Sequence, residues 1–190
     1  MKLPFEYYQN ENVTDIARDL VGKRLVTRIN KQLTSGIIVE TEAYSYRERG
    51  CHAFRGMTKR NHVMFGDGGV AYVYLCYGIH HLFNIVTNRT GYAEAVLIRA
   101  LEPCEGEAIM LARTGSSLPR ITSGPGKLTK ALGLTTAFNG AALTGPTVWL
   151  EDEGWRGKTV ARQRIGIDYA GKDARLPWRF VMKANKWVSR

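Results

Sequence analysis

Short strand-like runs dominate this chain, and helix-like runs are few. Helices are predicted at residues 12–21, 105–113 and 124–132, the first because its apolar residues recur every three or four positions. Since helices and strands do not alternate regularly, we expect an α+β fold: a single mixed domain over residues 1–190, with helices flanking a curved, largely antiparallel sheet. The predicted strands cover residues 24–29, 35–44, 71–77, 80–87, 93–101, 146–150, 164–169 and 178–182.

The composition is that of a globular protein without a membrane segment. Hydrophobic residues make up 44% of the chain and charged residues 23%. No apolar run approaches the ~18 residues that a membrane-spanning helix needs, and the first residues lack the apolar centre of a signal peptide. We therefore expect a cytoplasmic protein without membrane contact, and nothing in the sequence demands more than a monomer.

The net charge is +10 and the pI is near 9.7. Half of the excess positive charge falls in residues 151–190. A balance of this kind favours a polyanionic partner, most often nucleic acid. An ordinary enzyme with a basic surface explains the charge equally well, so charge by itself leaves both interpretations open.

The cysteines and histidines do not form a metal-binding pattern. The three cysteines are widely spaced and include no Cys-x-x-Cys pair. Cys51 and His52, together with His62, His80 and His81, are the candidate metal ligands. His80 and His81 are neighbours in the sequence. These two neighbours point to opposite faces of a strand, so they cannot easily share a metal. We predict no metal site and no organic cofactor.

The segment 37–44 reads Ile-Ile-Val-Glu-Thr-Glu-Ala-Tyr and combines a strand with a carboxylate and a ring. Glu42 and Tyr44 are two residues apart, so they share one face of the strand. A carboxylate beside a ring suits a pocket that stacks a flat ligand and activates water. The alternative is a strand end with a solvated Glu42 and a Tyr44 at its rim.

A second aromatic group lies in the segment 72–77, which reads Tyr-Val-Tyr-Leu-Cys-Tyr. Tyr72 and Tyr74 share a face, and Tyr77 lies at the following turn. Core packing would explain the pattern, but three buried phenols need three hydrogen-bond partners. A partly open stacking surface removes that need, and unstacked bases bind to such surfaces.

A glycine-rich start to the third predicted helix is a candidate phosphate site. The segment 124–127 reads Gly-Pro-Gly-Lys and places Lys127 in the first turn. Backbone N–H groups at a helix start, together with Lys127, can bind a phosphate. A capped helix without a ligand is an equally good interpretation.

Several motifs in fixed order resemble the alkyladenine (3-methyladenine) DNA glycosylases. The resemblance extends from about residue 14 to residue 188, and a series of motifs is far more specific than any one of them. The motifs are Ile-Val-Glu-Thr-Glu-Ala-Tyr44, His52, Met64-Phe65 with a Gly-rich turn, Tyr-Val-Tyr74-x-x-Tyr77-Gly-x-x-x-x-x-Asn84, Val-Leu-Ile-Arg99-Ala-Leu-Glu-Pro103 and Ser123-Gly-Pro-x-Lys127-Leu.

This resemblance implies catalytic roles for Glu42 and Arg99. Glu42 matches the general base, which takes a proton from the water that attacks the anomeric carbon of a damaged purine nucleotide. Arg99 matches the arginine that holds this water and the nearby phosphate. Lys59 and Lys127 are the nearest candidates for a Schiff-base nucleophile, and the resemblance gives neither of them that role. We therefore expect simple hydrolysis that leaves an abasic site, with damaged duplex DNA as the partner.

The resemblance also implies how the base is bound. Tyr44 and His52 match the residues that sandwich the flipped base, and Tyr74 matches a third ring. Asn84 matches a residue of the pocket floor that crowds out the amino group of normal guanine. Tyr77 matches the residue that wedges into the minor groove and fills the gap left by the extruded nucleotide.

Two other functions are compatible with parts of this pattern. The first is a non-catalytic nucleic-acid binding module that uses the same stacking surface, although a buried Glu42 near phosphates would then repel them without purpose. The second is an enzyme that acts on another purine nucleoside or on tRNA. Binding to a methylated duplex without any base release would favour the binding module. A competition assay between damaged DNA and free nucleosides would separate the other enzyme, because DNA binding falls steeply with salt.

Overall fold

An antiparallel sheet forms the centre of the structure, a computed structural model that describes residues 1–115 and 120–189. The helices in these residues are α1 (Val13–Leu20), α2 (Glu107–Thr114) and α3 (Pro125–Leu132). Short 3-10 helices cover Phe5–Gln9, His62–Phe65, Thr136–Phe138 and Asp168–Arg175. The strands are β1 (Arg24–Ile29), β2 (Gln32–Ser45), β3 (Ala71–Cys76), β4 (His80–Thr87), β5 (Glu94–Glu105), β6 (Val148–Glu151), β7 (Thr159–Arg162) and β8 (Arg179–Met182).

The strands are joined in the order β3-β4-β5-β2-β1-β6, and β8 pairs with both β2 and β7. Each of these pairings is antiparallel. Helices pack against this curved sheet, so the predicted α+β class with a largely antiparallel sheet is confirmed. No helix within residues 1–115 and 120–189 has the length and apolar character needed to span a membrane.

Strand β2 changes its neighbour along one edge. Residues 32–37 pair with β1, whereas Glu40 to Glu42 pair with β8. On its other edge β2 follows β5, and the register shifts between Ile38 and Thr41. Such a bulge bends a strand and redirects its side chains, and bulges occur often next to active sites. The change of neighbour brings β8 beside the segment that carries Glu42.

The helices cover one face of the sheet. Helix α1 buries its apolar stripe, and the side chain of Asn12 caps its start by accepting hydrogen bonds from the N–H groups of Thr14 and Asp15. Helix α3 packs on β4 and β5, with α2 beside it. The opposite face carries a smaller apolar cluster around Met64 and Tyr72. This second face is therefore the one that forms a cavity.

One of the predicted strands is wrong, and one strand was missed. Residues 164–169 form a loop that enters the 3-10 helix Asp168–Arg175, because Gly166 has a left-handed φ of 76° and Arg164 turns inward to an ion pair. The missed strand is β7, which pairs with β8. Its four residues are too short and too polar to give an alternating pattern.

Candidate active site

A row of four side-chain positions crosses the open face of the sheet. The strand register pairs Tyr72 with Asn84, Asn84 with Leu97, and Leu97 with Glu42. Directly paired residues of adjacent strands point to the same face. Four separate strands therefore bring a phenol, an amide and a carboxylate side by side, although the sequence holds them far apart.

A cavity of about 450 Å³ opens above this row. Its volume lies within the roughly 300–1,000 Å³ of small-ligand pockets. Loops 50–60 and 165–169 form the walls beside the sheet. The lining residues include Tyr44, His52, Arg60, Met64, Tyr72, Tyr74, Tyr77, Leu82, Asn84, Leu97, Arg99, Ile165 and Tyr169.

The carboxylate of Glu42 is fully buried and accepts hydrogen bonds from three cavity residues. Its Oε2 atom accepts from the Tyr44 hydroxyl at 2.8 Å and from Nη1 of Arg99 at 3.3 Å. Its Oε1 atom accepts from the backbone N–H of Ile165 at 2.8 Å. With a relative exposure of 0%, Glu42 is not the solvated side chain of the alternative interpretation.

A second buried carboxylate, Glu40, holds the arginine beside Glu42. Nε of Arg99 donates to Glu40 at 2.9 Å, and Arg179 contacts the same oxygen at 3.1 Å. The backbone N–H and the hydroxyl of Ser189 also donate to Glu40. Burial lowers the pKa of Arg99, but the charges of Glu42 and Glu40 outweigh it, so the pKa lies above its ordinary value. Arg99 therefore stays charged between the two carboxylates.

Three rings stand against one another on one side of the cavity. The centroids of Tyr72 and Tyr74 are 5.3 Å apart, as expected for residues that share a strand face. The ring of His52 meets Tyr74 at 4.7 Å in an edge-on arrangement. Nδ1 of His52 lies 3.0 Å from the Tyr72 hydroxyl. The structure thus brings His52 into the cavity beside the two tyrosines.

The imidazole of His52 is held in its neutral form. Desolvation lowers its pKa to about 4, and the nearby guanidinium of Arg60 acts in the same direction. His52 is exposed as a whole residue, although its ring contacts the rings of Tyr72 and Tyr74. The guanidinium of Arg60 lies 4.9 Å from the centroid of the Tyr74 ring. At neutral pH the cavity therefore presents uncharged rings to a ligand.

Tyr44 and Asn84 complete the cavity wall. Burial, then the charge of Glu42, raises the pKa of Tyr44 well above its ordinary value, so its hydroxyl remains a donor. Asn84 is buried, and its amide nitrogen donates to the backbone oxygen of Tyr72 at 3.0 Å. These hydrogen bonds fix the direction of both side chains.

Tyr77 projects from the tip of the β3–β4 hairpin. Its relative exposure is 91%. Its φ is 50°, and Gly78 follows with a φ of 74°, as in the type I′ turns that join hairpin strands. A left-handed conformation costs a residue with a side chain roughly 1–2 kcal/mol. The backbone therefore tolerates strain in order to hold an exposed ring beside the cavity mouth.

Most predicted site residues meet at this cavity, with one exception. Glu42, Arg99, Tyr44, His52, Tyr74 and Asn84 lie in or directly behind its walls, and Tyr77 lies at its mouth. Lys127 is exposed in the first turn of α3 and does not line the cavity. Sequence reasoning missed Arg60, Ile165 and Tyr169 as cavity residues, because no motif marks Arg60 and the alternation in residues 164–169 predicted a strand.

Fold and site together define an α+β protein with a ring-lined cavity and a buried carboxylate directly behind its wall. Residues 6–186 match the family described as Methylpurine-DNA glycosylase (MPG). The chain therefore belongs to the methylpurine-DNA glycosylase family.

Individual relatives agree with this assignment along the whole chain. A protein of Carboxydothermus hydrogenoformans is 48% identical over 197 residues that cover 100% of both chains. A protein of Methanocella arvoryzae is 47% identical, covering 99% of this chain and 96% of the relative. A protein of Chlamydia abortus is 45% identical, covering 95% and 97%. Each carries the name "Putative 3-methyladenine DNA glycosylase". The chain is a monofunctional, hydrolytic DNA glycosylase that acts on alkylated bases in DNA.

Proposed function

We propose that this enzyme extrudes an alkylated purine nucleotide from duplex DNA and hydrolyses its N-glycosidic bond with a water molecule that Glu42 activates. A base inside a duplex is out of reach, so its nucleotide must leave the stack and enter a pocket. The observation that carries the proposal is the buried carboxylate of Glu42, which contacts three residues of a ring-lined cavity. The product is an abasic site in an uncut strand.

The hydrogen bonds that Glu42 accepts from the described residues leave one acceptor position for a water molecule. A carboxylate offers about four acceptor positions, and Tyr44, Arg99 and Ile165 fill three of them. A water at the remaining position transfers a proton to Glu42 while its oxygen attacks the anomeric carbon. The electrons of the glycosidic bond leave with the base. The negative charge of Glu42 also stabilises the oxocarbenium-like sugar in the transition state.

The aromatic cavity suits a cationic base. Alkylation at a ring nitrogen leaves a positively charged purine, and such a cation gains about 0.5–2 kcal/mol from each aromatic face that it meets. Tyr44 and Tyr74 supply such faces, and both rings already attract a cation, the guanidinium of Arg164 at Tyr44 and that of Arg60 at Tyr74. The lowered pKa of His52 keeps the third ring neutral, so it does not repel the cation. An alkylated base is already a good leaving group, so one carboxylate and one water suffice.

Three further residues serve selection and DNA binding in this proposal. Asn84, fixed by its hydrogen bond to Tyr72, crowds out the 2-amino group of normal guanine. The exposed ring of Tyr77 fills the gap that the extruded nucleotide leaves. Lys127 contacts a backbone phosphate away from the cavity.

The test is the variant Glu42→Gln, measured on a methylated duplex. General-base catalysis contributes about 10²–10⁴-fold, so single-turnover base release should fall by that factor while lesion-DNA binding stays close to the parent's. Glu94→Gln is the matched control, because Glu94 is a buried carboxylate bound by Ser45 and Asn88 outside the cavity. A Glu42→Gln variant that loses DNA binding, or that releases bases at the parent's rate, contradicts the proposal.

A further inference from the structure

Arg164 and Glu48 form a buried ion pair that the mechanism above does not use. Their side chains are 0% and 4% exposed. Nη1 of Arg164 donates to Oε1 of Glu48 at 2.7 Å, and Nη2 donates to Oε2 at 2.8 Å, so the pair is bidentate. Burying two charges is costly unless the geometry is good and other hydrogen bonds are made. Arg164 makes such additional hydrogen bonds, and they reach the segment that carries Glu42.

Arg164 contacts the strand segment that carries Glu42 and Tyr44. Nη1 also donates to the backbone oxygen of Ala43 at 2.9 Å, and Ala43 lies between those two residues. The guanidinium carbon lies 4.7 Å from the centroid of the Tyr44 ring. A cation against an aromatic ring is attracted by the ring's electrons. Arg164 therefore holds both the backbone and the ring of the segment.

The residue after Arg164 donates directly to the reactive carboxylate. The N–H of Ile165 lies 2.8 Å from Oε1 of Glu42. Because Arg164 is anchored on both sides of its guanidinium, the adjoining N–H has little freedom to move. Glu48 extends the same arrangement to the other wall, since its Oε2 accepts from the N–H of Gly50, which lines the cavity.

We propose that Arg164, held by Glu48, is a positioning residue for base release: it fixes the Tyr44 ring and the Ile165 N–H that together orient Glu42. This proposal rests on the proposed function of the cavity. Arg164 itself does not line the cavity, so it acts through its neighbours. A misplacement of about 1 Å at a reacting group can cost roughly 10²-fold in rate, which gives a distant ion pair a measurable effect on catalysis.

The experiment compares Arg164→Lys with Arg24→Lys. Lysine keeps the charge of Arg164 but cannot form the bidentate pair. Arg24 makes the matched control because it pairs with Glu105 and Glu153 at the surface, away from the cavity. Three quantities are measured: hydrogen exchange of the Ile165 amide in the free protein, single-turnover base release from a methylated duplex, and binding to a duplex with a tetrahydrofuran abasic-site analogue.

For Arg164→Lys we expect base release to fall by roughly 10- to 100-fold, and the Ile165 amide to exchange on the order of tenfold faster. Binding to the abasic-site analogue, which lacks a base to stack, should stay close to the parent's. Arg24→Lys should leave all three unchanged. Added guanidinium at non-denaturing concentration should partly restore the rate of Arg164→Ala.

Two results overturn the positioning role. The first is that Arg164→Lys shows the same exchange rate of the Ile165 amide and the same rate of base release as the parent. The second is a fall of the release rate that a parallel fall of abasic-site binding accompanies, which indicates a merely structural pair. Failure of the proposed function looks different: the parent itself then releases no alkylated base, while the Ile165 exchange still reports whether Arg164 orders the contact with Glu42.

Discussion

Replacing Glu40 with glutamine should lower the free energy of unfolding far more than replacing Glu105 with glutamine. Glu105 forms a shorter ion pair than Glu40 does, but that pair is exposed. Glu40 is fully buried and contacts Arg99 at 2.9 Å and Arg179 at 3.1 Å. Within the described residues, Glu40 is the one carboxylate that forms an ion pair with Arg179. The Nε atom of Arg179 has no hydrogen-bond partner among the same residues. Glu40→Gln therefore leaves a buried guanidinium without a counter-charge.

The expected loss follows from burial. Breaking a buried pair by removing one partner costs about 3–5 kcal/mol, and for a chain of this size each kcal/mol lowers Tm by about 2–4 °C. Glu40→Gln should thus lower Tm by about 6–20 °C. The control is Glu105→Gln: its 2.6 Å contact with Arg24 is shorter, but the side chains are 56% and 22% exposed. Exposed pairs contribute about 0–1 kcal/mol, so Tm should fall by at most about 4 °C.

Thermal unfolding followed by circular dichroism measures both variants, with urea titration as a second estimate of the free energy of unfolding. Folded Glu40→Gln should also release bases more slowly, because Arg99 loses the anchor at its Nε atom. The reasoning is refuted if Glu40→Gln and Glu105→Gln lose the same free energy, or if the shorter contact proves the costlier one to remove. Either result would mean that distance outweighs burial in this sheet.

Three further predictions concern the cavity and its rim. Tyr77→Ala should weaken binding to lesion DNA by about 1–3 kcal/mol through lost stacking, and equal lesion release by this variant and the parent in a single-turnover assay would contradict the wedge role. Lys127→Gln should weaken binding to damaged and undamaged duplexes alike and reduce the salt slope of log K by about 1; a change confined to damaged DNA would point to a different role. The ring protons of His52 should titrate near pH 4 in NMR. That pKa lies below the unfolded value of about 6.5, so the unfolded chain binds more protons than the folded protein between about pH 6.5 and pH 4. The contribution of His52 to stability therefore falls as pH falls through that window, and His52→Gln should abolish this loss. A midpoint near about pH 6.5 for the ring protons would contradict the prediction.

Local patterns in the sequence were enough to predict residues that share one strand. Glu42 with Tyr44, and Tyr72 with Tyr74, were expected on common faces from the period of two, and the hydrogen bond and ring contact between them agree. The long strands and α1 were recognisable for the same reason, since burial on one face imposes an alternating or helical period. The roles in catalysis came from the family resemblance and stay predictions.

Contacts between distant segments could not be predicted in this way. The residues 164–169 alternate apolar and other side chains and so imitate a strand, but Arg164 turns inward to Glu48 and Gly166 breaks the extended backbone. The N–H of Ile165 then reaches Glu42 from a loop, and a backbone group leaves no trace in residue type. Glu40 looked like an ordinary strand residue, because its partners come from β5, β8 and Ser189.

The bonds that hold the two carboxylates also have a consequence for the order of folding. Ile165 is 123 positions from Glu42, and Ser189 is 149 positions from Glu40. The hairpin that carries Tyr77 closes between immediate neighbours, with Cys76 opposite His80. Joining distant segments costs more chain entropy than closing a hairpin. A newly made chain should therefore form the hairpin tip that carries Tyr77 before it completes the long-range contacts around Glu40 and Glu42.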